Sequence, residues 1–279
     1  MNNAQLEPGL YIVATPIGNL GDLSPRAAHI LSHADVIAVE DSRVTAKLLN
    51  HIGVKRPMIP YHDHSTESVR AGLVARMGSE AVALVSDAGT PLISDPGYKL
   101  VRDARAAGHM VVTIPGPSAA ISALTLAGLP TDRFLFMGFL PSKAQARSST
   151  IAEVEGIRAT LVFYESGPRL SASLAALAQG LGEREAAVAR ELTKKFEECV
   201  TGTLSALANR YADAQPKGEI VIVVAPPGDA APPSEEDADA ALSEALTRLP
   251  ASKAAGEVAR KFGLDRKALY ARAMAMKSE

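Results

Sequence analysis

Short runs of apolar residues alternate with glycine-, proline- and aspartate-containing loops along the first half of the chain, and this alternation most constrains the fold. Residues 10–13, Ala81–Val85 and residues 110–114 are continuous apolar runs of strand length. Between the last two, Asp95-Pro96 predicts the start of a helix and Gly108 predicts its end. Parallel strands require a crossover connection, which is usually a helix. The pattern therefore predicts βαβ units and an α/β fold with a parallel sheet.

The second half of the chain shows the same kinds of element in a looser order. Strands are predicted at residues 134–137, 160–164, 186–189 and 219–224, and two of the intervening segments resemble hairpins, which indicates a mixed sheet. A chain of 279 residues also exceeds the usual size of one core. Glycine and proline clusters suggest the boundaries. The predicted domains are residues 1–127 and 128–226, a linker at 227–233, and a third domain at 234–279.

The third predicted domain consists of three short helices with a glycine turn at Gly263, an arrangement that resembles a helix-turn-helix module. From Arg248 to Lys277 there are eight basic residues and two acidic ones, whereas the whole chain has a formal net charge of −2. A local basic surface can attract nucleic acid even when the whole protein is acidic. This domain therefore predicts a nucleic-acid contact, with a solvated helical cap as the alternative. The candidate contact residues are Lys253, Arg260, Lys261, Arg266 and Lys267.

Composition places further limits on the chain. Apolar residues make up 47% of it and charged residues 22%, proportions that indicate a packed globular protein and exclude general disorder. Cys199 is the only cysteine, so no intramolecular disulfide can form. The first residues do not read as a secretory signal, and no apolar run has the length of a membrane span. We therefore expect a cytoplasmic protein without a membrane partner.

Four loops that directly follow predicted strands have an unusual composition. Ligands of open α/β sheets bind outside the carboxyl ends of the strands, so these loops are expected to converge on one cleft. Glycines let the backbone approach a ligand closely, and a helix amino terminus offers free N–H groups. The loops are residues 14–22 (ATPIGNLGD), 86–91 (SDAGTP), 115–119 (PGPSA) and 164–169 (YESGPR).

Two kinds of ligand were compared with these loops. Gly18 and Gly21, with Glu40 at the end of the second strand, imitate a dinucleotide fingerprint, but Pro16 takes the place of its first glycine. A zwitterionic ligand, held by backbone groups and one carboxylate of the protein, fits these loops better than a dinucleotide does. No metal site is predicted, because His62 and His64 could offer two imidazoles but no third ligand cluster accompanies them.

Five motifs together resemble the tetrapyrrole-methylase class of S-adenosylmethionine enzymes. Within that class they are similar to the bacterial enzymes that methylate the ribose 2'-hydroxyl of a cytidine in 16S ribosomal RNA. The similarity extends from about Gly9 to Val224, and the basic tail resembles the helix-turn-helix addition of those enzymes. The motifs are residues 15–22 (TPIGNLGD), 40–43 (EDSR), 86–91 (SDAGTP), 115–119 (PGPSA) and 189–198 (ARELTKKFEE).

The resemblance implies two α/β domains with S-adenosylmethionine in the cleft between them, a small carboxyl-terminal helical domain, and a homodimer. It implies ribosomal RNA, or the assembled small subunit, as the substrate. Among the donor-binding residues, Asp87 and Thr90 are expected to hold the methionine and ribose parts. The full set of expected donor-binding residues is Pro16, Ile17, Gly18, Asp87, Ala88, Gly89, Thr90, Pro115, Ser118, Ala119 and Tyr164.

Methylation of a hydroxyl requires alignment of the reactants and removal of one proton, so we expect a general base among the residues of these loops. Each candidate also has a structural interpretation: an acid after a strand can simply cap the next helix, and a lysine can bind phosphate. The candidate catalytic residues are Glu40, Asp41, Arg43, Glu165 and Lys194. The expected RNA contacts near the cleft are Arg169 and Lys195.

Three other functions remain as hypotheses from the sequence. The first is a methyltransferase for a small tetrapyrrole-like substrate, which an acidic or uncharged tail would have favoured. The second is a nicotinamide-dependent oxidoreductase, a hypothesis supported only by Gly18, Gly21 and Glu40. The third is a non-catalytic RNA-binding adaptor, which would keep its function after loss of donor affinity.

Overall fold

The chain divides into two structural units, Met1–Pro226 and Pro227–Glu279. The computed structural model describes residues 5–62, 64–213, 216–228 and 235–276. Residues 229–233 of the predicted linker lie outside the described residues, and so do Ser234 and Lys277 of the predicted third domain.

The first sheet of the larger unit contains five parallel strands in the order β3-β2-β4-β1-β5, so the predicted parallel sheet is confirmed. The strands are β1 (Gly9–Val13), β2 (Val36–Val39), β3 (Met58–Pro60), β4 (Ala81–Val85) and β5 (Val111–Ile114). The helices are α1 (Pro25–His33), α2 (Ser42–His51), α3 (Glu67–Arg76), α4 (Tyr98–Ala106) and α5 (Ala119–Ala127), and Leu20–Asp22 forms one 3-10 turn. Separate apolar clusters cover the two faces of the sheet, which is why its central strands β1, β2 and β4 are apolar throughout.

Helix α4 begins later than predicted. The pair Asp95-Pro96 was expected to open it, but the helix starts at Tyr98 after Gly97, whose φ is +137°. Leu92 and Ser94 have φ values of +76° and +61°, in the left-handed region, so the backbone before the helix is irregular. The prediction was wrong because this segment is a loop, and that loop leaves the carboxylate of Asp95 outside the helix.

The second sheet is mixed, as predicted. Its order is β6-β7-β10-β8-β9, with β6 and β7 parallel and the other neighbours antiparallel. The strands are β6 (Phe134–Phe139), β7 (Thr160–Ser166), β8 (Glu185–Arg190), β9 (Glu198–Thr203) and β10 (Glu219–Val224). The helices of this half are α6 (Ala144–Ala152), α7 (Gly167–Leu181) and α8 (Leu204–Arg210).

Helix α5 follows the last strand of the first sheet but packs on the second sheet. Its buried residues Ala120, Ala123 and Leu124 share an apolar cluster with Val162 of β7 and Val221 of β10. The amino-terminal end of α5 therefore lies where the two sheets of this unit meet.

The described residues of the smaller unit form three helices, α9 (Glu235–Leu246), α10 (Ala251–Phe262) and α11 (Arg266–Met276). Leu242, Val258 and Leu269, one from each helix, are almost fully buried in their common core. Gly263 ends α10 in the left-handed conformation, as its position predicts. The predicted helical domain is confirmed.

Candidate active site

Loops from both sheets of the larger unit enclose a cavity of about 230 Å³. Four segments follow β1, β2, β4 and β5 at the carboxyl edge of the parallel sheet. The second sheet contributes the ends of β6 and β7, the turn after β8 and the start of β10. The lining residues are Ile17, Glu40, Asp87, Ala88, Gly89, Thr90, Ile93, Ser94, Asp95, Ser118, Ala119, Phe139, Tyr164, Glu165, Glu191, Leu192, Lys194, Glu219, Ile220 and Val221.

Hydrogen bonds join the three loops that follow β1, β4 and β5. Thr15 and Gly89 exchange backbone hydrogen bonds of 2.8 and 3.1 Å, and the Thr90 hydroxyl donates to the carbonyl of Pro117 over 3.0 Å. A Cβ at Gly116 would lie 2.9 Å from the Cβ of Ala14, so a side chain there would separate the first loop from the third. The expected convergence of these loops is thus present in the structure.

Asp87 connects the loop after β4 to the start of α2. Its carboxylate accepts a 2.9 Å hydrogen bond from the backbone N–H of Asp41. Burial raises the pKa of Asp87, and this hydrogen bond opposes that rise. A partly buried carboxylate that lines a cavity can bind a cationic ligand group there.

The EDSR segment divides between two roles. Glu40 lines the cavity, whereas Asp41 and Arg43 do not. Asp41 caps α2 by accepting from the N–H of Arg43 over 2.8 Å, and the two side chains form an ion pair at 2.5 Å. Hydrogen bonds from Arg43 lower the pKa of Asp41 to about 2, so Asp41 is a very weak base. The helix-capping interpretation of Asp41 therefore describes its contacts best.

Asp95 lines the cavity and was not found from the sequence. Burial raises its pKa to about 6; a hydrogen bond from Ser86 opposes the rise, and the nearby charges of Glu40, Glu219 and Asp87 add to it. In the sequence, the dipeptide Asp95-Pro96 indicates a helix start and gives no sign that the Asp95 carboxylate lines a cavity. The irregular loop that holds Asp95 is what places its carboxylate in the cavity.

Glu165 is buried and its oxygens are already bound within the protein. They accept hydrogen bonds from the Ser166 N–H at 2.8 Å and from the Ser173 hydroxyl at 2.5 Å, and the Arg169 guanidinium lies 3.3 Å away. Arg169 also donates a hydrogen bond to the carbonyl of Leu140. The guanidinium predicted to contact phosphate is thus used inside the protein, where it compensates a buried carboxylate.

Tyr164 lies near the end of β7, and its phenol contacts the start of α5. Burial raises the pKa of its phenol, and a hydrogen bond with the backbone of Ala120 opposes the rise. Phe136 and Phe139 contact its ring edge-on, with centroids 4.8 and 5.6 Å away. The phenol is therefore a neutral, firmly held wall of the cavity at physiological pH.

The turn between β8 and β9 covers part of the cavity. Glu191 and Thr193 have φ values of +51° and +65°, and Lys194 reaches back to Glu191 with 3.0 Å between Nζ and Oε1. A Cβ at Gly18 would lie 2.6 Å from Cε of Lys194, so the glycine makes room for the lysine stem. Gly18 therefore supports the cavity from outside, whereas Lys194 lines it.

Most of the expected donor-binding residues meet in the cavity, and three do not line it. Ile17, Asp87, Ala88, Gly89, Thr90, Ser118, Ala119 and Tyr164 line it, whereas Pro16, Gly18 and Pro115 lie in the same loops outside the lining. Among the lining residues that the sequence did not indicate, Glu219, Ile220 and Val221 begin β10. They are present because β10 runs antiparallel to β7, which pairs Glu219 with Ser166 at the cavity end.

The charges of the lining are strongly unbalanced. Six carboxylates and one ammonium group line the cavity, the latter being Lys194. Such a lining favours a ligand that carries positive charge. In the part of the chain that the structure describes, no three histidine, cysteine or acidic side chains are grouped to share a metal ion, and no helix could span a bilayer.

The five basic candidates of the smaller unit are all exposed on α10 and α11. Arg266 donates a hydrogen bond to the Ser252 hydroxyl over 3.2 Å, and Arg260 donates to the carbonyl of Gly256. Lys261 lies with its Nζ 5.0 Å from the centre of the Phe262 ring. These groups are available to a polyanion at the surface of this unit.

The chain is similar to known proteins in both of its structural units. Residues 9–208 match the family model of Tetrapyrrole (Corrin/Porphyrin) Methylases, and residues 232–277 match that of the RsmI C-terminal HTH domain. Two relatives are named ribosomal RNA small subunit methyltransferase I. The one from Erythrobacter litoralis is 55% identical over 98% of this chain and 97% of its own, and the one from Mesorhizobium japonicum is 50% identical over 98% and 93%.

A solved structure has the same fold. It is the uroporphyrin-III C-methyl transferase from Thermus thermophilus complexed with S-adenyl homocysteine. The similarity covers 78% of this chain and 97% of that one, with a TM-score of 0.54 and 18% identity.

Proposed function

The chain belongs to the tetrapyrrole methylase family, and from this premise we propose that it transfers a methyl group from S-adenosylmethionine to the ribose 2'-hydroxyl of a cytidine in 16S ribosomal RNA. The observation that carries the proposal is the acid-lined cavity, in which five sequence motifs far apart in the chain have residues in or against the lining. The named relatives act on ribosomal RNA of the small subunit. The matched helix-turn-helix tail favours RNA over a small tetrapyrrole as the acceptor.

The residues present suit the proposed donor. S-adenosylmethionine has a sulfonium and an ammonium group against one carboxylate, so its net charge is positive. The carboxylates of Asp87, Asp95 and Glu219 provide a complementary field. Thr90, Ser118 and Ala119 lie where the loops after β4 and β5 meet, and from there they would hold the polar parts of the donor.

When bound, the donor supplies an electrophilic methyl group next to a good leaving group. The protein must therefore hold the ribose hydroxyl in line with that methyl group and accept one proton. Asp41 is unsuited as the acceptor because its pKa is about 2, and the oxygens of Glu165 are occupied by internal partners. We assign the proton to the carboxylate of Asp95, because it lines the cavity and burial raises its pKa to about 6, close to neutral pH.

The RNA is held by positive groups outside the cavity. Lys195 on the turn after β8 and the exposed lysines and arginines of α10 and α11 neutralise phosphates. The proposal includes a homodimer, which the sequence resemblance implies. Ile121 and Leu126 of α5 and Phe134 of β6 are large apolar side chains that remain 42–48% exposed in the single chain and are available to a second copy.

The decisive experiment is transfer of a labelled methyl group from S-adenosylmethionine to purified small subunits and to bare 16S RNA. We expect label in the RNA, recovered after nuclease digestion in a cytidine whose 3' linkage resists alkali because its 2'-hydroxyl is blocked. Asp87→Asn is expected to weaken donor binding and labelling together. Absence of label from both substrates would refute the proposal, and label on a base would refute the assignment to ribose.

A further inference from the structure

Phe196 is the most exposed large apolar side chain in the described part of the chain, at 68%. It lies on the turn formed by residues 191–197, which joins β8 to β9. Exposure of an aromatic ring forgoes the free energy that its burial would release. Because single exposed apolar side chains are common on protein surfaces, the meaning of this ring depends on the turn that carries it and on its neighbours.

The turn that carries Phe196 is held in one strained conformation. Glu191 and Thr193 both have positive φ values, which non-glycine residues rarely adopt. The N–H of Thr193 donates to the Glu197 carboxylate over 2.6 Å, and the N–H of Lys194 donates to the Glu191 carbonyl over 3.0 Å. The exposed ring is thus presented from a turn with fixed internal contacts, which lowers the entropy lost when a ligand stacks on it.

The same turn reaches both the cavity and the outer surface. Glu191, Leu192 and Lys194 line the cavity, whereas Lys195 and Phe196 do not line it and are exposed. The ammonium group of Lys195 lies 5.6 Å from the centre of the Phe196 ring. An aromatic face beside a cation is the combination that binds single-stranded nucleic acid, because the ring stacks on a base and the cation neutralises the neighbouring phosphate.

We propose that Phe196 stacks on an unpaired base of the RNA next to the nucleotide that enters the cavity, with Lys195 on the adjoining phosphate. The inference rests on the proposed function, since it concerns how that RNA is held. The base must be unpaired, because bases within a duplex already stack on one another and cannot offer a free face to the ring. Phe196 is a positioning residue that orders the strand around the acceptor ribose.

The test uses the full-length protein with two variants at this position and one control. Phe196→Leu keeps an apolar side chain without an aromatic face, and Phe196→Trp keeps the face. Tyr98→Leu is the matched control, because Tyr98 is a 63% exposed ring with Arg102 5.8 Å from its centre but does not line the cavity. Binding is measured by fluorescence anisotropy with a labelled single-stranded RNA oligonucleotide and with the same sequence as a duplex.

We expect Phe196→Leu to weaken single-strand binding roughly ten-fold, as the loss of one stacked base predicts, and to raise KM for small subunits by a similar factor. Phe196→Trp and Tyr98→Leu should stay within about two-fold of the parent for single-strand binding, and all three variants should keep the parent affinity for S-adenosylmethionine. The chain contains no tryptophan, so Phe196→Trp also provides a single indole reporter. Its emission should be quenched by the single strand and not by the duplex.

The possible outcomes separate the two proposals. Parent-like single-strand binding by Phe196→Leu, or an unquenched indole in Phe196→Trp, would overturn the stacking proposal even if methyl transfer to the RNA is observed. Stacking together with an absence of methyl transfer would leave the RNA contact standing and refute the reaction. A change of sedimentation from dimer to monomer in Phe196→Leu, with RNA binding intact, would show that a second copy covers the ring and would also overturn the inference.

Discussion

Replacement of Asp95 by asparagine is expected to make the free protein more stable at neutral pH and nearly inactive. Burial raises the pKa of Asp95 from 3.8 to about 6 in the folded protein. The folded state therefore binds this proton more tightly than the unfolded state, and stability falls as the pH rises from about 4 to about 6. Because asparagine carries no charge at any of these pH values, Asp95→Asn should not show this pH-dependent loss of stability.

The size of the effect follows from the pKa difference. At full weight it corresponds to ~3 kcal/mol, and screening by water at a partly exposed carboxylate reduces this to ~1–2 kcal/mol. We expect Asp95→Asn to raise the free energy of unfolding by ~1–2 kcal/mol at neutral pH, with the gain shrinking below about pH 6 and vanishing below about pH 4. Loss of the proton acceptor should lower kcat by roughly a hundred-fold or more.

The stability is measured by urea denaturation followed by circular dichroism at a series of pH values, and kcat by labelled methyl transfer. Asp103→Asn is the control of opposite sign, because hydrogen bonds from Arg70 and Arg102 lower the pKa of Asp103. That variant should lose stability at neutral pH, and the loss should disappear as the pH falls and the carboxylate becomes protonated. A stability difference for Asp95→Asn that is absent or independent of pH would show that the charge of Asp95 is not penalised in the folded protein.

Three further experiments test separate parts of the structure. Glu165→Gln should lower the free energy of unfolding by ~1–2 kcal/mol, since the one-third exposed guanidinium of Arg169 loses its counter-charge and Ser166 and Ser173 lose a charged acceptor; a loss below ~0.5 kcal/mol in urea denaturation would contradict this pairing. Gly18→Ala and Gly53→Ala both place a Cβ on backbone with positive φ and should each lose ~1 kcal/mol of stability. Only Gly18→Ala should lower kcat/KM, because its Cβ collides with the lysine that lines the cavity, and equal activity of the two variants would argue against that contact. Lys253→Glu combined with Lys261→Glu should weaken RNA binding about ten-fold and flatten its dependence on salt. The donor affinity, read by calorimetry, should not change, and an equal loss of both affinities would assign these lysines a structural role.

Much of the framework follows from the sequence alone. A strand buried on both faces must be apolar throughout, and a chain that returns to a parallel neighbour must cross over the sheet, so the strands β1, β4 and β5 could be predicted from their apolar runs. The short edge strand β3 was not predicted, because only three residues form it and none of them is fully buried. The loops after β1, β4 and β5 could be placed at one edge for the same reason. Gly263 could be recognised as the end of a helix because glycine readily adopts the left-handed conformation that this position requires.

Only the tertiary structure decided which distant groups meet in the cavity. Asp95 lines it because a left-handed loop delays α4, and Glu219 lines it because β10 lies antiparallel beside β7. Arg169, which reads as a phosphate contact from its charge, is used to compensate the buried Glu165. The spacing of apolar residues along the chain indicates which face of a helix or strand is buried. The partner of a buried charge depends on how separate elements pack against one another, and the spacing of residues does not indicate that partner.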